Sequence, residues 1–321
     1  MNFELVSLEQ TELAKKISKN LNKELQVPLF QQFADGEINI VLKDPTLFAH
    51  KVAVIIQSTG ISVNEHTLAV AYCAHELKNA GAYKVIAVIP YFGYGRQERS
   101  TIPGKSGHAA VVAKLLEGAG IDEIIAVELH EPSLADLFSI PLHNIRLQDT
   151  IAQQIKQRFK FIESVCIIAP DRGAQPYVQE IAHELGLPML VFEKERYGKD
   201  KTRIISHEGE SGKKVGIIVD DIIATGGTAV EVCNMLHAQG FNAIYGYFVH
   251  PVLAGPALIR LKESHFAKIF VGNTLPLSAE ACETELIESF DVSDAIIEKL
   301  QELVYENHVS HTLALSHNAV K

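Results

Sequence analysis

One stretch constrains this chain more than any other: Val215 to Val230, VGIIVDDIIATGGTAV. Its first five residues form an apolar run, β-branched at most positions, as in a strand buried on both faces of a parallel sheet. Two carboxylates follow, Asp220 and Asp221. Ala224, Thr225, Gly226, Gly227 and Thr228 then lead into a helical pattern through Val230, Val232, Met235 and Leu236. Strand, acid pair, small-residue loop and helix together suit an anionic sugar. Glycines let the backbone approach a phosphate, and a helix N-terminus offers N–H groups to it. Thr225 and Thr228 can add hydroxyl donors. Asp220 and Asp221 stand where a ribose would follow its phosphate and could hold the 2′- and 3′-hydroxyls. The competing reading is a generic strand-to-helix turn with an acidic cap pair. A lone glycine pair would favour that reading; two acids followed by T-G-G-T at this offset favour a phosphoribosyl site.

With 321 residues the chain is long enough for two domains of ordinary size. A hydrophobic content of 47% suits buried parallel sheets and argues against disorder. The formal net charge of −10 argues against a broad nucleic-acid face, so any phosphate site must be built locally. Cys73, Cys166, Cys233 and Cys282 lack metal-ligand spacing and lie in apolar or helical segments, as reduced thiols of a cytoplasmic protein would. The opening MNFELVSLEQ has no basic n-region and no apolar h-region, so no signal peptide is expected. No apolar run approaches the length of a membrane span, so no membrane partner is expected.

In chain order, residues 11–25 predict a helix capped by Thr11, with Leu13, Ile17, Leu21 and Leu25 one turn apart. Asp35-Gly36 predicts a hairpin turn between short strands. Buried strands are expected at 51–59, 84–92 and 123–130, with helices at 65–80 and 106–119. The rhythm then restarts. Helices are expected at 149–160 and 175–186, and strands at 164–174, 188–196, 243–253 and 268–277. Strands alternating with helices imply an α/β fold of two similar doubly wound domains with parallel sheets. The expected boundaries are 1–147, 148–305 and a tail at 306–321. Ligands of such sheets bind at the carboxyl ends of strands, and the polar clusters fall there.

Five of those clusters stand out. Phe33-Ala34-Asp35-Gly36-Glu37 is either a functional turn or a hairpin with an exposed aromatic. PYFGYGRQER, residues 90–99, brings Arg96, Gln97 and Arg99 to a strand end, where guanidinium groups could bind phosphates or stack on a flat ring. The bland alternative is a basic loop. Glu128-Leu129-His130 puts an imidazole at a strand end, more often a structural histidine than a ligand. Pro170-Asp171-Arg172-Gly173-Ala174 puts a carboxylate before a small-residue turn. Glu193-Lys194-Glu195-Arg196 spaces two cations i, i+2, as a solvated loop could also do.

The T-G-G-T loop resembles the diphosphoribosyl-binding loop of phosphoribosyltransferases and of ribose-phosphate pyrophosphokinases. FADGE, IPYFGYGRQER, the strand-end L-H, PDRGA, K-x-R and VDDIIATGGT together resemble the second family in order and spacing. HPVLAGPA at 250–257 and NTLPL at 273–277 extend the resemblance, which covers roughly residues 25–305. FADGE and PYFGYGRQ are its most specific pieces, because phosphoribosyltransferases lack them. The resemblance implies a type I phosphoribosyltransferase-like fold. It also implies transfer of the diphosphoryl group of ATP to ribose 5-phosphate, with Mg²⁺, in a homo-oligomer (dimer, tetramer or hexamer). Phe33, Asp35 and Glu37 would contact ATP in a neighbouring subunit's site, and Arg96, Gln97 and Arg99 would hold adenine and the triphosphate. His130 and Asp171 would serve the Mg²⁺–ATP site. Lys194 and Arg196 would sit on a mobile catalytic loop, Asp220 and Asp221 would bind ribose hydroxyls and a second metal, and residues 224–228 would cradle the 5-phosphate. The chain departs from the family's pattern at Ala224, where many members carry an acid, and at Glu128, commonly Asp. Arg172 and Gln175 stand where glycine or small residues are usual. Residues 100–108 do not resemble the usual regulatory loop, and the tail has no clear counterpart. A phosphoribosyltransferase and a non-catalytic regulatory paralogue are the alternatives.

Overall fold

The computed structural model describes residues 3–99, 107–159, 164–196, 202–208 and 214–318, with the backbone alone for 194–196, 202–208 and 306–318. The chain divides into two compact units, Met1–Ile145 with Asp291–Lys321, and Arg146–Phe290. The first unit runs β1 (Phe3–Val6), α1 (Glu12–Asn20), β2 (Leu25–Gln26), β3 (Leu29–Gln32), β4 (Ile38–Val41), β5 (Val52–Ile56), α2 (Val63–Asn79), β6 (Lys84–Ile89), α3 (Ala109–Gly118), β7 (Glu123–Val127) and β8 (Leu142–Ile145). The second runs α4 (Gln148–Arg158), β9 (Val165–Ala169), α5 (Gln175–Leu185), β10 (Met189–Arg196), β11 (Thr202–Glu208), β12 (Val215–Ile223), α6 (Gly227–Ala238), β13 (Ala243–Pro251), α7 (Ala257–Lys262), β14 (Phe266–Gly272), α8 (Ala279–Glu283) and β15 (Ile287–Phe290). Helix α9 (Ser293–Asn318) follows.

Each unit is built on one sheet. The order is β2-β1-β5-β6-β7-β8 in the first and β11-β10-β9-β12-β13-β14-β15 in the second. The pairings are parallel, except that β11 runs antiparallel to β10. The apolar runs that predicted doubly buried strands do form them: every residue of β5 and β9 is buried. β3 and β4 form a separate antiparallel hairpin, as Asp35-Gly36 predicted. Gly36 sits at φ 94, and its N–H donates to the Phe33 carbonyl at 2.9 Å.

Three expectations change. Thr11 does cap α1, its Oγ1 accepting from the Ala14 N–H at 3.1 Å, but the helix stops at Asn20. Asn22 turns to φ 49, and Leu25 enters β2 beside Leu5. The strand before the phosphate loop does not end at Val219. β12 continues to Ile223 because β13 stays paired with it as far as Ile223–Pro251. Asp220 and Asp221 therefore lie within the strand. Residues 291–305, expected with the second domain, belong to the first unit. There α9 packs on α1, β7 and β8, burying Ile296, Leu300, Leu303 and Val304.

Candidate active site

In the second unit, β9 and β12 are adjacent and parallel, so their carboxyl ends lie side by side. Asp171 follows β9, and its Oδ1 accepts from the Ala174 N–H at 3.1 Å, tying down the turn into α5. Asp220 lies on β12. Burial, then the charges of Asp221 and Asp171, hold the Asp220 carboxyl well above the usual carboxylate range. The sequence readings for Asp171 and for the acid pair therefore converge on one electrostatic cluster.

The loop after β12 turns sharply into α6. Gly226 sits at φ 73 as the residue before the helix, a conformation that an L side chain rarely adopts. Gly227, Thr228 and Ala229 open α6, so their N–H groups precede the first intrahelical bonds and are available to an anion. A chain segment braces this loop. The Leu253 N–H donates to the Ile223 carbonyl at 3.1 Å, and the Ala254 N–H to the Ala224 carbonyl at 2.9 Å. Arg260 Nη1 donates to the Thr225 carbonyl at 3.2 Å. Nothing in the sequence pattern singled out Arg260, which reads as an exposed cation on a short helix. The HPVLAGPA and NTLPL stretches meet behind the loop. Thr274 Oγ1 donates to the Val249 carbonyl at 3.0 Å, so the buried His250 Nδ1, 2.9 Å from that hydroxyl, is the donor to it.

Lys194 and Arg196 are residues of β10, paired opposite Ile204 and Thr202 of β11, with a register shift between Glu193 and Lys194. They end the strand expected at 188–196, which forms as half of a hairpin, whereas the resemblance implied a loop for them. Their side chains, and the 197–200 stretch expected as the loop, lie outside the described residues. Arg172, one of the departures from the family's pattern, pairs with Glu193 beside them, its Nε donating to Oε1 at 2.6 Å.

The first unit assembles the other clusters. After β6 the chain turns at Gly93, where a Cβ would stand 2.2 Å from the Thr59 carbonyl oxygen, so only glycine fits. Tyr94 then takes φ 65, and a short helical turn over Gly95–Gln97 presents Arg96 and Gln97, both exposed. Gln97 Oε1 lies 2.6 Å from His108 Nδ1. Arg99 Nε donates to Glu98 at 3.1 Å, and Ser133 Oγ donates to the same carboxylate at 3.0 Å. Ser133 follows the β7 corner, so the arginine loop and the His130 loop are joined. Glu128 holds φ 40 at that corner and is buried, and the Leu129 N–H donates to Asn144 Oδ1 at 3.0 Å, leaving His130 exposed at the strand end. Phe33 is 53% exposed at the tip of the β3–β4 hairpin, and the Glu37 N–H donates to Asp35 Oδ1 at 3.1 Å. Residues 100–106 of the supposed regulatory loop lie outside the described residues.

Among the described residues, no three of His, Cys, Asp and Glu are grouped so as to hold a metal ion by themselves. No helix among them is long and apolar enough to cross a membrane.

Comparisons with known proteins agree with this geometry. Residues 4–120 match the N-terminal domain of ribose phosphate pyrophosphokinase, and residues 171–313 match the phosphoribosyl synthetase-associated domain. The ribose-phosphate pyrophosphokinase of Methanobrevibacter smithii is 35% identical over 289 residues, covering 87% of this chain and 95% of that protein. That of Methanothermobacter thermautotrophicus is 36% identical over 265 residues, covering 82% and 90%. The crystal structure of phosphoribosylpyrophosphate synthetase from Mycobacterium smegmatis matches with a TM-score of 0.85 and 25% identity, covering 96% of this chain and 100% of that one. The fold is thus the type I phosphoribosyltransferase-like one, present in each unit. Similarity that runs through both units and nearly the whole of each relative means that the chain belongs to the ribose-phosphate pyrophosphokinase family.

Proposed function

We propose that this chain transfers the β,γ-diphosphoryl group of ATP to the C1 hydroxyl of ribose 5-phosphate, giving 5-phosphoribosyl 1-diphosphate and AMP. The observation that carries this reading is that one chain has both the Gly226 loop, entered from a strand bearing Asp220 and Asp221, and the β3–β4 hairpin and Gly95–Gln97 turn that phosphoribosyltransferases lack. The backbone N–H groups of residues 225–228, with Ala224 at the loop's start, take the 5-phosphate. Asp220 and Asp221 accept hydrogen bonds from the ribose hydroxyls. Arg96, Gln97 and Arg99, with Phe33, Asp35 and Glu37, serve ATP. The C1 oxygen attacks the β-phosphorus in line, the bond from that phosphorus to the α,β-bridging oxygen breaks, AMP departs, and the hydroxyl proton is released. Catalysis of this kind is positioning plus charge stabilisation, and no protein nucleophile is required. Lys194 and Arg196 meet the charge that develops on the leaving oxygen.

Mg²⁺ fits the residues present. It binds through one or two carboxylates together with substrate phosphates and waters, so a three-ligand protein cage is not needed. Burial, and after it the charges of Asp221 and Asp171, disfavour the Asp220 carboxylate, and a hard cation beside it would favour that carboxylate. In the second unit Asp171 would hold the cation, and it would neutralise the phosphates; His130 is the first unit's own candidate for a metal-bound phosphate. The exposed Phe33 tip supports a homo-oligomer in which one copy completes its neighbour's ATP site. Four free cysteines suit the reducing cytoplasm.

A coupled assay for AMP release that depends on ribose 5-phosphate tests the reaction. Release of AMP only when both substrates and Mg²⁺ are present is expected. Turnover of a nucleobase with phosphoribosyl diphosphate would identify a phosphoribosyltransferase instead. Silence in both assays, with the chain raising a relative's activity, would identify a regulatory paralogue.

A further inference from the structure

From the contacts around the Gly226 loop we infer that Arg260 is a positioning residue for the ribose-phosphate cradle, acting through the Thr225 carbonyl. The inference rests on the reading of residues 224–228 as that cradle. Arg260 is exposed on α7, and its Nη1 donates to the Thr225 carbonyl oxygen at 3.2 Å. The same Nη1 lies 3.7 Å from where a Cβ on Gly227 would stand, the nearest atom to that point. The guanidinium is thus bonded to the loop at Thr225 and lies near it at Gly227.

Two consequences follow from elementary chemistry. A phosphate cradle works only if its N–H groups face inward, so the intervening carbonyls must be turned out and satisfied elsewhere. At Thr225 the donor to the carbonyl is a side chain, Arg260, where the two preceding carbonyls accept from backbone N–H groups. The Ile223 and Ala224 carbonyls just before it are taken by the Leu253 and Ala254 N–H groups of the same brace, and the Leu261 side chain packs beneath Gly226, its Cγ 3.6 Å from where a Cβ would stand. Second, Arg260 places a full positive charge at the N-terminal end of α6, where the helix already carries partial positive charge. Without an anion this arrangement is unfavourable. With the 5-phosphate bound, the helix end and the guanidinium both attract it. Arg260 therefore trades stability of the empty loop for affinity.

That trade separates this role from ordinary packing. Arg260→Gln is expected to raise the KM for ribose 5-phosphate about tenfold or more, the loss of a charge-assisted contact. The KM for ATP is expected to stay within about twofold, and the melting temperature without ligand to be unchanged or higher. Arg260→Lys should recover part of the affinity, since it restores the charge without the planar fork. A lower melting temperature with equal loss for both substrates would overturn the inference in favour of simple packing. Gly227→Ala is the control on the cradle itself. Its methyl group would meet nothing closer than 3.7 Å in the protein, so a selective loss of ribose 5-phosphate affinity would report on the space the phosphate needs. If Gly227→Ala weakens ribose 5-phosphate and Arg260→Gln does not, the role of Arg260 is refuted and the cradle stands. If Gly227→Ala is silent, the cradle reading itself fails.

Discussion

Asp220 illustrates how a single side chain is held at a cost to the fold. Its carboxyl is raised by burial and by the neighbouring charges of Asp221 and Asp171. A group whose folded-state pKa is raised contributes stability that is fully present below its unfolded value. That contribution is lost as pH rises through the folded value. The ligand-free protein should therefore lose stability as pH climbs from the acid side through that window. Asp220→Asn should remove the dependence and raise the melting temperature at neutral pH, by about 2–4 °C for each kcal/mol relieved. The same change should weaken ribose 5-phosphate by about 1.5–3 kcal/mol while sparing ATP. Thermal melts across pH, with separate titrations of the two substrates, check both halves. A destabilised variant, or equal loss of both substrates, would count against the assignment. Lys194 and Arg196 call for a different measurement. If they act only in the transition state, as proposed, their loss should lower kcat by about 10³-fold or more and leave both affinities near normal. Steady-state kinetics beside direct binding would separate that outcome from the nearly silent substitutions expected of a solvated strand end. At this scale the sequence was readable wherever a motif sat at a strand end. Arg260 was not, because its role depends on a carbonyl thirty-five positions away in the chain.

At the scale of elements, legibility followed burial. Runs such as Val52–Ile56 and Val165–Ala169 form strands because both faces are covered, and their apolar content announces it. Ile287–Phe290 was missed because it is a short edge strand with two polar residues in four. Thr202–Glu208 was missed because it is held by an antiparallel partner rather than by a crossover helix. The carboxylates of β12 concealed the last turns of that strand, since polar residues read as a strand's end unless a neighbour keeps pairing past them. The β3–β4 hairpin was legible from Asp35-Gly36 alone, and Phe33 stands exposed at its tip. If that tip completes a neighbouring copy's ATP site, Phe33→Ala and Lys194→Ala variants, each inactive, should recover activity when mixed under conditions of subunit exchange. Absence of recovery in oligomers shown by mass to contain both variants would sink the shared-site idea.

For the molecule as a whole, the alternation of strands and helices predicted two doubly wound units but not how the chain closes the first of them. Periodicity reports that a helix is amphipathic and says nothing about which sheet it covers. Helix α9 carries Ile296, Leu300, Leu303 and Val304 at helical spacing, all buried, and packs on α1, β7 and β8 of the first unit. Lys16 Nζ on α1 reaches Asp291 Oδ2 at 2.5 Å just before the helix begins. The first unit is therefore built from two ends of the sequence, whereas the second is continuous from Arg146 to Phe290. Burying a large aliphatic side chain is worth about 1.5–3 kcal/mol, so four of them amount to roughly the whole stability of an ordinary domain. A chain ending at Phe290 should thus fail to hold its first unit together while keeping the second. Hydrogen exchange should then find protected amides within 146–290 and none of comparable protection within 3–145. Leu300→Ala is the gentler version and should cost about 2–5 kcal/mol in the first unit. If the shortened chain kept full protection in β5, β6 and β7, α9 would be a passenger on that core, and the two-ended construction of the first unit would be wrong.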